Sequence, residues 1–264
     1  AWLVLSLPFL ILACMQEQFT IFALITFVFY LLKDWLKKKA INYNYLVGSA
    51  LALVGTISAL VAPGSAHRTA IETKAWYPGF DKLSLAVKVA KGYLETNRVL
   101  FVTSELTIIY LLLISILVLA LIKRHYIASF LSGSILYTVL TNRLGSTSIL
   151  TAVQRVIDFQ NQQPVTKFSF KANLYPITIY AVLLLVMTIA IFVIFEDKWQ
   201  AASAVVLLGI GYIGRMTVSL SPTIYASGLR TFTPLILSGL IVLVMLIREL
   251  YNLLKFKEQK TLTF

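Results

Sequence analysis

Apolar residues in this chain come in long runs, and polar residues are confined to the gaps between them. The runs cover roughly residues 1–15, 19–32, 43–62, 99–122, 126–141, 177–195, 200–220 and 233–254. A helix needs about 20 mostly apolar residues to cross a bilayer. Runs 43–62, 99–122 and 233–254 meet that length easily, while 1–15, 19–32 and 126–141 are short. The pattern predicts an all-α, polytopic integral membrane protein with about eight transmembrane helices, organised as a single transmembrane helical domain over residues 1–264.

Basic residues orient these helices, because short loops rich in lysine and arginine stay on the cytoplasmic side. Lys33, Lys37, Lys38 and Lys39 follow the second run, Lys123 and Arg124 the fourth, and Lys198 the sixth. Arg248, Lys255, Lys257 and Lys260 close the chain. Clusters after every second run fit one topology, with the C-terminus cytoplasmic. The opposite, extracytoplasmic face then carries 15–18, 63–98, 142–176 and 221–232.

Two of those outer segments, 63–98 and 142–176, are long loops, and long loops are usually functional. Both carry helical periodicity. Leu83, Ala86, Val87, Ala90 and Leu94 form an apolar stripe with Lys88 and Lys91 on the other side. Leu150, Val153, Val156 and Ile157 repeat the pattern beside Gln154, Arg155 and Asp158. Each reads as an amphipathic helix lying in the membrane interface. Trp76, Tyr77, Tyr93, Tyr175 and Tyr225 sit near presumed boundaries, where amphipathic rings prefer to lie.

Composition agrees with a membrane chain: 59% of the 264 residues are hydrophobic, more than one soluble core could hide. The single cysteine, Cys14, excludes an internal disulfide. No Cys/His spacing suggests a metal site, and the two histidines, His67 and His125, are far apart. Of the 23 lysines and arginines, 12 fall on the outer face, where only six acidic residues accompany them. Such a face suits anionic lipid headgroups or a phosphorylated ligand, because the planar guanidinium matches phosphate. Its scattered charges do not form a nucleic-acid surface.

A few residues stand out as candidate chemistry. Arg215 interrupts an apolar run in Gly211-Tyr212-Ile213-Gly214-Arg215-Met216, and a charge there is costly. It either serves a site or snorkels or pairs with an acid such as Glu105. Ala62-Pro63-Gly64-Ser65-Ala66-His67-Arg68 ends the third run, with proline halting the helix and glycine permitting a left-handed turn. Ser221-Pro222 through Arg230 forms a second such turn, containing Tyr225. Gln16-Glu17-Gln18 is a polar hairpin, a solvated turn unless Glu17 acts as a base or orienting group. No Walker, GxSxG or HExxH motif is present.

These pieces together resemble the C-terminal part of bacterial polytopic proteins of the GT-C glycosyltransferase class. The nearest likeness is to a family with an Ala-Pro-Gly-Asn…Arg signature, similar to O-antigen glucosyltransferase-like proteins. Here the signature reads Ala62-Pro63-Gly64-Ser65 with Arg68, serine replacing asparagine. Gln16-Glu17-Gln18 matches an earlier acidic turn, and Ser221-Pro222 with Arg230 a later one. The resemblance implies a polyprenyl-phosphate sugar donor used at the outer face of a bacterial inner membrane, with a cell-envelope glycan or other surface acceptor. It implies that Arg68, Arg215 and Arg230 bind the donor phosphate, that His67, Trp76 and Tyr225 contact substrate or lipid, and that Glu17 serves as catalytic or orienting acid. The Asp-Asp pair common in the first outer loop of the class is absent. The chain is therefore expected to be a fragment whose missing N-terminal module supplies the principal acid. No cofactor is expected in this chain, and a divalent cation would need an acidic ligand from that module. Two other functions fit the same pattern: a lipid-linked-sugar transporter, or a non-catalytic receptor or scaffold.

Overall fold

The computed structural model describes residues 2–103, 105–161 and 168–262 of the chain. Among them the secondary structure is helical, with no strand. The helices are α1 (Trp2–Ala13), α2 (Glu17–Lys38), α3 (Tyr43–Val61), α4 (Pro63–Trp76), α5 (Leu85–Asn97), α6 (Thr107–Lys123), α7 (Tyr126–Arg143), α8 (Ile149–Asn161), α9 (Leu174–Ile194), α10 (Lys198–Met216) and α11 (Thr233–Leu262). The protein is thus a helical membrane protein, since four stretches are long and apolar enough to cross a bilayer. They are Glu17–Lys37, Leu174–Ile194, Lys198–Leu220 and Gly228–Lys255, and a bent pair, Leu85–Val102 with Thr107–Lys123, would make a fifth.

Several of the eight runs form helices shorter than 20 residues. The first run becomes α1, only 12 residues long and interrupted by Pro8. The run at 126–141 becomes α7, 18 residues rich in serine and threonine. Its hydroxyls fold back onto their own helix: Ser132 Oγ donates to the Ala128 carbonyl at 2.7 Å and Thr138 Oγ1 to Ser134 at 2.8 Å. Such bonds let polar side chains sit in a helix with no outside partner. The second run grows instead, because α2 extends to 22 residues through Lys33, Asp34 and Lys37.

The fourth run is not one straight helix. A π-helical turn, Arg98–Val102, follows α5, and the chain then bends by 63° before α6 begins. Glu95, Thr96 and Asn97 lead into this break and are buried, which no continuous apolar span would require. The break is supported locally. Asn97 Nδ2 donates to the Tyr93 carbonyl at 2.8 Å, and Asn142 Nδ2 to the Val102 carbonyl at 3.1 Å. Backbone groups released from the helical ladder are thus partly satisfied by side chains.

Most of the segment 63–98 is helical, in α4 and α5. Pro63 opens α4, where its missing N–H costs nothing, and Gly64 is helical rather than left-handed. In α5 the expected stripe is buried at Ala90 and Leu94, but Ala86 is exposed and the last turn is enclosed. In α8 Leu150, Val153 and Ile157 are buried while Arg155 and Asp158 are exposed. Residues 162–167, within the segment 142–176 expected on the outer face, lie outside the described residues.

Two compact units divide the chain: residues 1–92 with 209–235, and residues 93–208 with 236–264. In the first unit α2 and α3 form an antiparallel hairpin. Close approach is set by glycine: a Cβ at Gly48 would meet the Phe27 ring at 2.9 Å, and one at Gly55 would meet Cys14 Cβ at 2.8 Å. Asn42 closes the connection, accepting from the Asn44 N–H and donating to Asp34 at 3.2 Å.

In the second unit α7 packs on both α6 and α9. One lysine fastens the ends of α6 and α9 to the middle of α11. Lys123 Nζ, its side chain only 3% exposed, donates to Glu249 Oε1 at 2.7 Å and to the Ile194 carbonyl at 3.0 Å. Glu196 lies 3.6 Å away. Two basic residues also end their helices in the left-handed conformation: Lys39 after α2, at φ 53°, and Arg124 after α6, at φ 58°.

Removing one partner of a buried ion pair leaves the other charge uncompensated. Lys123→Ala is expected to destabilise the second unit by about 2–3 kcal/mol, discounted from a fully buried pair because Glu249 is partly exposed. Lys123→Met combined with Glu249→Gln should recover part of that loss. Denaturant unfolding in detergent micelles measures both, and an unchanged midpoint for Lys123→Ala would contradict the assignment.

Candidate functional site

The seven site residues singled out from the sequence all fall in the first unit. The site is built on the turn that starts α2. Gln16 is extended, and its carbonyl accepts the Phe19 and Thr20 N–H groups. Buried Thr20 locks the turn, donating to the Cys14 carbonyl at 2.9 Å and sharing with Gln16 at 3.0 Å. Glu17 therefore occupies the first turn of α2, where the helix dipole favours a negative charge.

Arg68 reaches this carboxylate from α4. Its Nη2 lies 3.7 Å from Glu17 Oε1, and its Nε lies 3.6 Å from Glu72 Oε1. Both separations exceed a hydrogen bond, so these are ion pairs held by charge. The Arg68 and Glu17 side chains are 61% and 51% exposed, and such exposed pairs contribute roughly 0–1 kcal/mol. The arrangement keeps Arg68 beside Glu17 without locking it away from an incoming anion.

The last turn of α10 lies over the same turn. A Cβ at Gly214 would come within 3.5 Å of the Gln18 carbonyl and 3.1 Å of Pro234 Cβ. The next residue, Arg215, is only 1% exposed, and its guanidinium sits 4.5 Å from the centre of the Phe232 ring. A cation over an aromatic face is stabilised by the ring quadrupole, by about 2 kcal/mol or more when desolvated. Arg215 is thus enclosed and does not extend to solvent, which decides against snorkelling. Glu105 is exposed and belongs to the second unit.

The remaining candidates lie on exposed or half-enclosed turns. His67 and Trp76 are exposed on α4, and Arg230 is exposed, its carbonyl accepting from Thr233 Oγ1 at 2.6 Å. The turn containing Tyr225 uses the left-handed region at Gly228, φ 56°. Tyr225 meets the ring of Tyr77 edge-on at 5.8 Å, and Tyr77 packs on Phe80 at 5.5 Å. Burial pushes the Tyr77 hydroxyl up from the ordinary phenol range, keeping it protonated and neutral. The structure therefore joins Glu17 to Arg68, places the turn before Arg215 over Gln18, and joins Tyr225 to Tyr77. Among the described residues, no hydrogen bond, ion pair or ring contact joins the side chains of His67, Trp76 or Arg230 to these.

Sequence reasoning missed Glu72 and Phe232. Glu72 was legible, since it stands four residues after Arg68 and that spacing puts both on one helical face. Phe232 carries no local signal, because it reaches Arg215 through the packing of α10 against the turn before α11. Among the described residues no three of His, Cys, Asp and Glu converge on a point. Comparison with protein families, with curated proteins and with solved structures finds no match for this chain.

The unit's packing has one tight spot beside the site. A Cβ on Gly92 would overlap Ser219 Cβ, close to where the short turn Thr217–Leu220 touches α2. Gly92→Ala must displace backbone as well as a side chain and should cost about 1–3 kcal/mol. Thermal unfolding of the purified variant checks this, and a midpoint equal to the parent would show that the two segments are not in contact.

Proposed function

We propose that this protein is a membrane glycosyltransferase of the GT-C type, transferring a sugar from a polyprenyl-phosphate donor to a cell-envelope glycan. The reading places the reaction at the outer face of a bacterial inner membrane, with the C-terminus cytoplasmic and eight membrane passages in the whole array. One observation carries it: Glu17 and Arg68, distant in sequence, meet at a half-exposed helix start, and buried Arg215 follows the glycine packed on that turn.

In this mechanism the acceptor hydroxyl attacks the anomeric carbon as its bond to the donor phosphate breaks. The hydroxyl proton passes to a carboxylate, and the bond electrons leave with the phosphate. Within this chain Glu17, beside Arg68, is the carboxylate placed to orient the acceptor hydroxyl or to take its proton. Arg68, in exposed ion pairs longer than hydrogen bonds, can turn to the departing phosphate, whose growing charge it stabilises. Arg230, exposed on the turn that carries Tyr225, is a further guanidinium for the same anion.

The test is sugar release from polyprenyl-phosphate glucose and related donors by the purified protein in detergent. Glu17→Gln and Arg68→Ala should each lower release by about 10²-fold or more while leaving unfolding unchanged. Arg155→Ala, on a helix of the second unit, should leave release intact. No release from any donor, or release indifferent to both substitutions, would sink the proposal.

A second reading has its own support. A lipid-linked-sugar transporter needs broken helices and charges inside the membrane. The break after α5 fits that need, with buried Glu95 holding Arg98 through two bonds of 2.8 Å. Glu95→Gln should then abolish movement of a labelled lipid-linked sugar across proteoliposomes, with no sugar released. Movement unaffected by that substitution would remove this reading.

A further inference from the structure

Away from Glu17 and Arg68, the first unit carries a second cluster that the reaction does not use. Its base is three aromatic rings, Tyr77, Phe80 and Tyr225, packed against one another. Two lysines from α5 stand over it. Lys88 Nζ lies 4.3 Å from the centre of the Phe80 ring, and Lys91 Nζ lies 5.9 Å from that of Tyr77. Lys74 and Lys82 are exposed nearby in sequence, and between residues 74 and 92 the only acid is Asp81. The segment is strongly basic.

The helix carrying these lysines is amphipathic in an unusual order. Ala90 and Leu94 face inward. Leu85 and Val89, one turn apart, are exposed, as is Trp76 at the end of α4. Around α5, at 3.6 residues per turn, Lys88 and Lys91 therefore lie between a buried apolar stripe and an exposed one. Exposed aliphatic side chains and an exposed tryptophan beside lysines fit a boundary where acyl chains meet headgroups. A soluble sugar phosphate would use the lysines but leave Leu85, Val89 and Trp76 in water.

We propose that Lys88 and Lys91, seated on the Tyr77–Phe80–Tyr225 rings, form a binding site for the phosphate of an anionic membrane lipid. Leu85, Val89 and Trp76 contact the upper acyl chains of the same lipid. The site anchors α4 and α5 at the bilayer surface, and it requires neither catalysis nor transport. Its success or failure is therefore separate from that of the transferase reading.

Quenching of Trp76 by brominated lipid tests it. The full chain, with Trp2→Phe, Trp35→Phe and Trp199→Phe, is placed in micelles containing brominated phosphatidylglycerol or brominated phosphatidylcholine. Phosphatidylglycerol should quench at lower mole fraction. Each of Lys88→Gln and Lys91→Gln should reduce that preference about fivefold, the factor for one lysine near a charged surface. Lys74→Gln with Lys82→Gln should retain most of it. Equal quenching by the two lipids in the parent, or an unaltered preference in the Lys88→Gln, Lys91→Gln variant, would overturn the proposal. Loss of the preference on adding glycerol phosphate at the lipid's own concentration would also overturn it, assigning the lysines to a soluble phosphate.

Discussion

An ammonium ion taken out of water needs oxygen atoms around it, and the second unit is organised on that requirement. Lys123 ends α6 with a carboxylate from α11, a carbonyl from the end of α9 and a second carboxylate just beyond it. Non-directional apolar packing would let these three helices slide along one another. The lysine fixes their relative depth, because each oxygen must arrive at the same height. Arg215 does the comparable task in the first unit with a different chemistry, placing its guanidinium on the face of Phe232. In both units the expensive group sets position and the aliphatic residues fill in around it.

The same logic explains why the chain departs from a row of straight spans. Arg98 pairs with Glu95 three residues earlier, a spacing that any helix brings together. What the break adds is a freed Val102 carbonyl, which Asn142 covers. The π turn thus sits where a buried polar stretch meets an apolar one. Both the transferase and the transporter readings draw on sites of this kind, where charge is retained at a helix end instead of being removed.

Helix content was legible because apolar runs and their periodicity are local properties. Where each helix begins and ends was less so. Pro63 signals a stop, yet it serves as the start of α4, since a proline is tolerated in a first turn as readily as it ends a previous helix. Lys33 and Lys37 look like the end of a span, yet α2 runs past them, with Lys33 laid over the Tyr30 ring and Lys37 exposed. Within the site, Glu17 and Arg68 could be nominated singly from their turns, but their meeting depends on how α4 returns over α2. No spacing in the sequence encodes that. Glu72, by contrast, was one helical turn away from Arg68 and visible to anyone counting.

Lys39 and Arg124 hold the only positive φ angles outside glycine among the described residues, and each ends a helix. Glycine would adopt that conformation without strain, whereas a residue with a Cβ loses about 1–2 kcal/mol. The folded protein gains little from the exchange, since the backbone bonds at these ends would form with glycine as well. What glycine could not supply is a positive charge beside an apolar helix, and such charges bias which way a helix is set in a bilayer. At these two corners the chain gives up backbone ease and keeps a cation in its place.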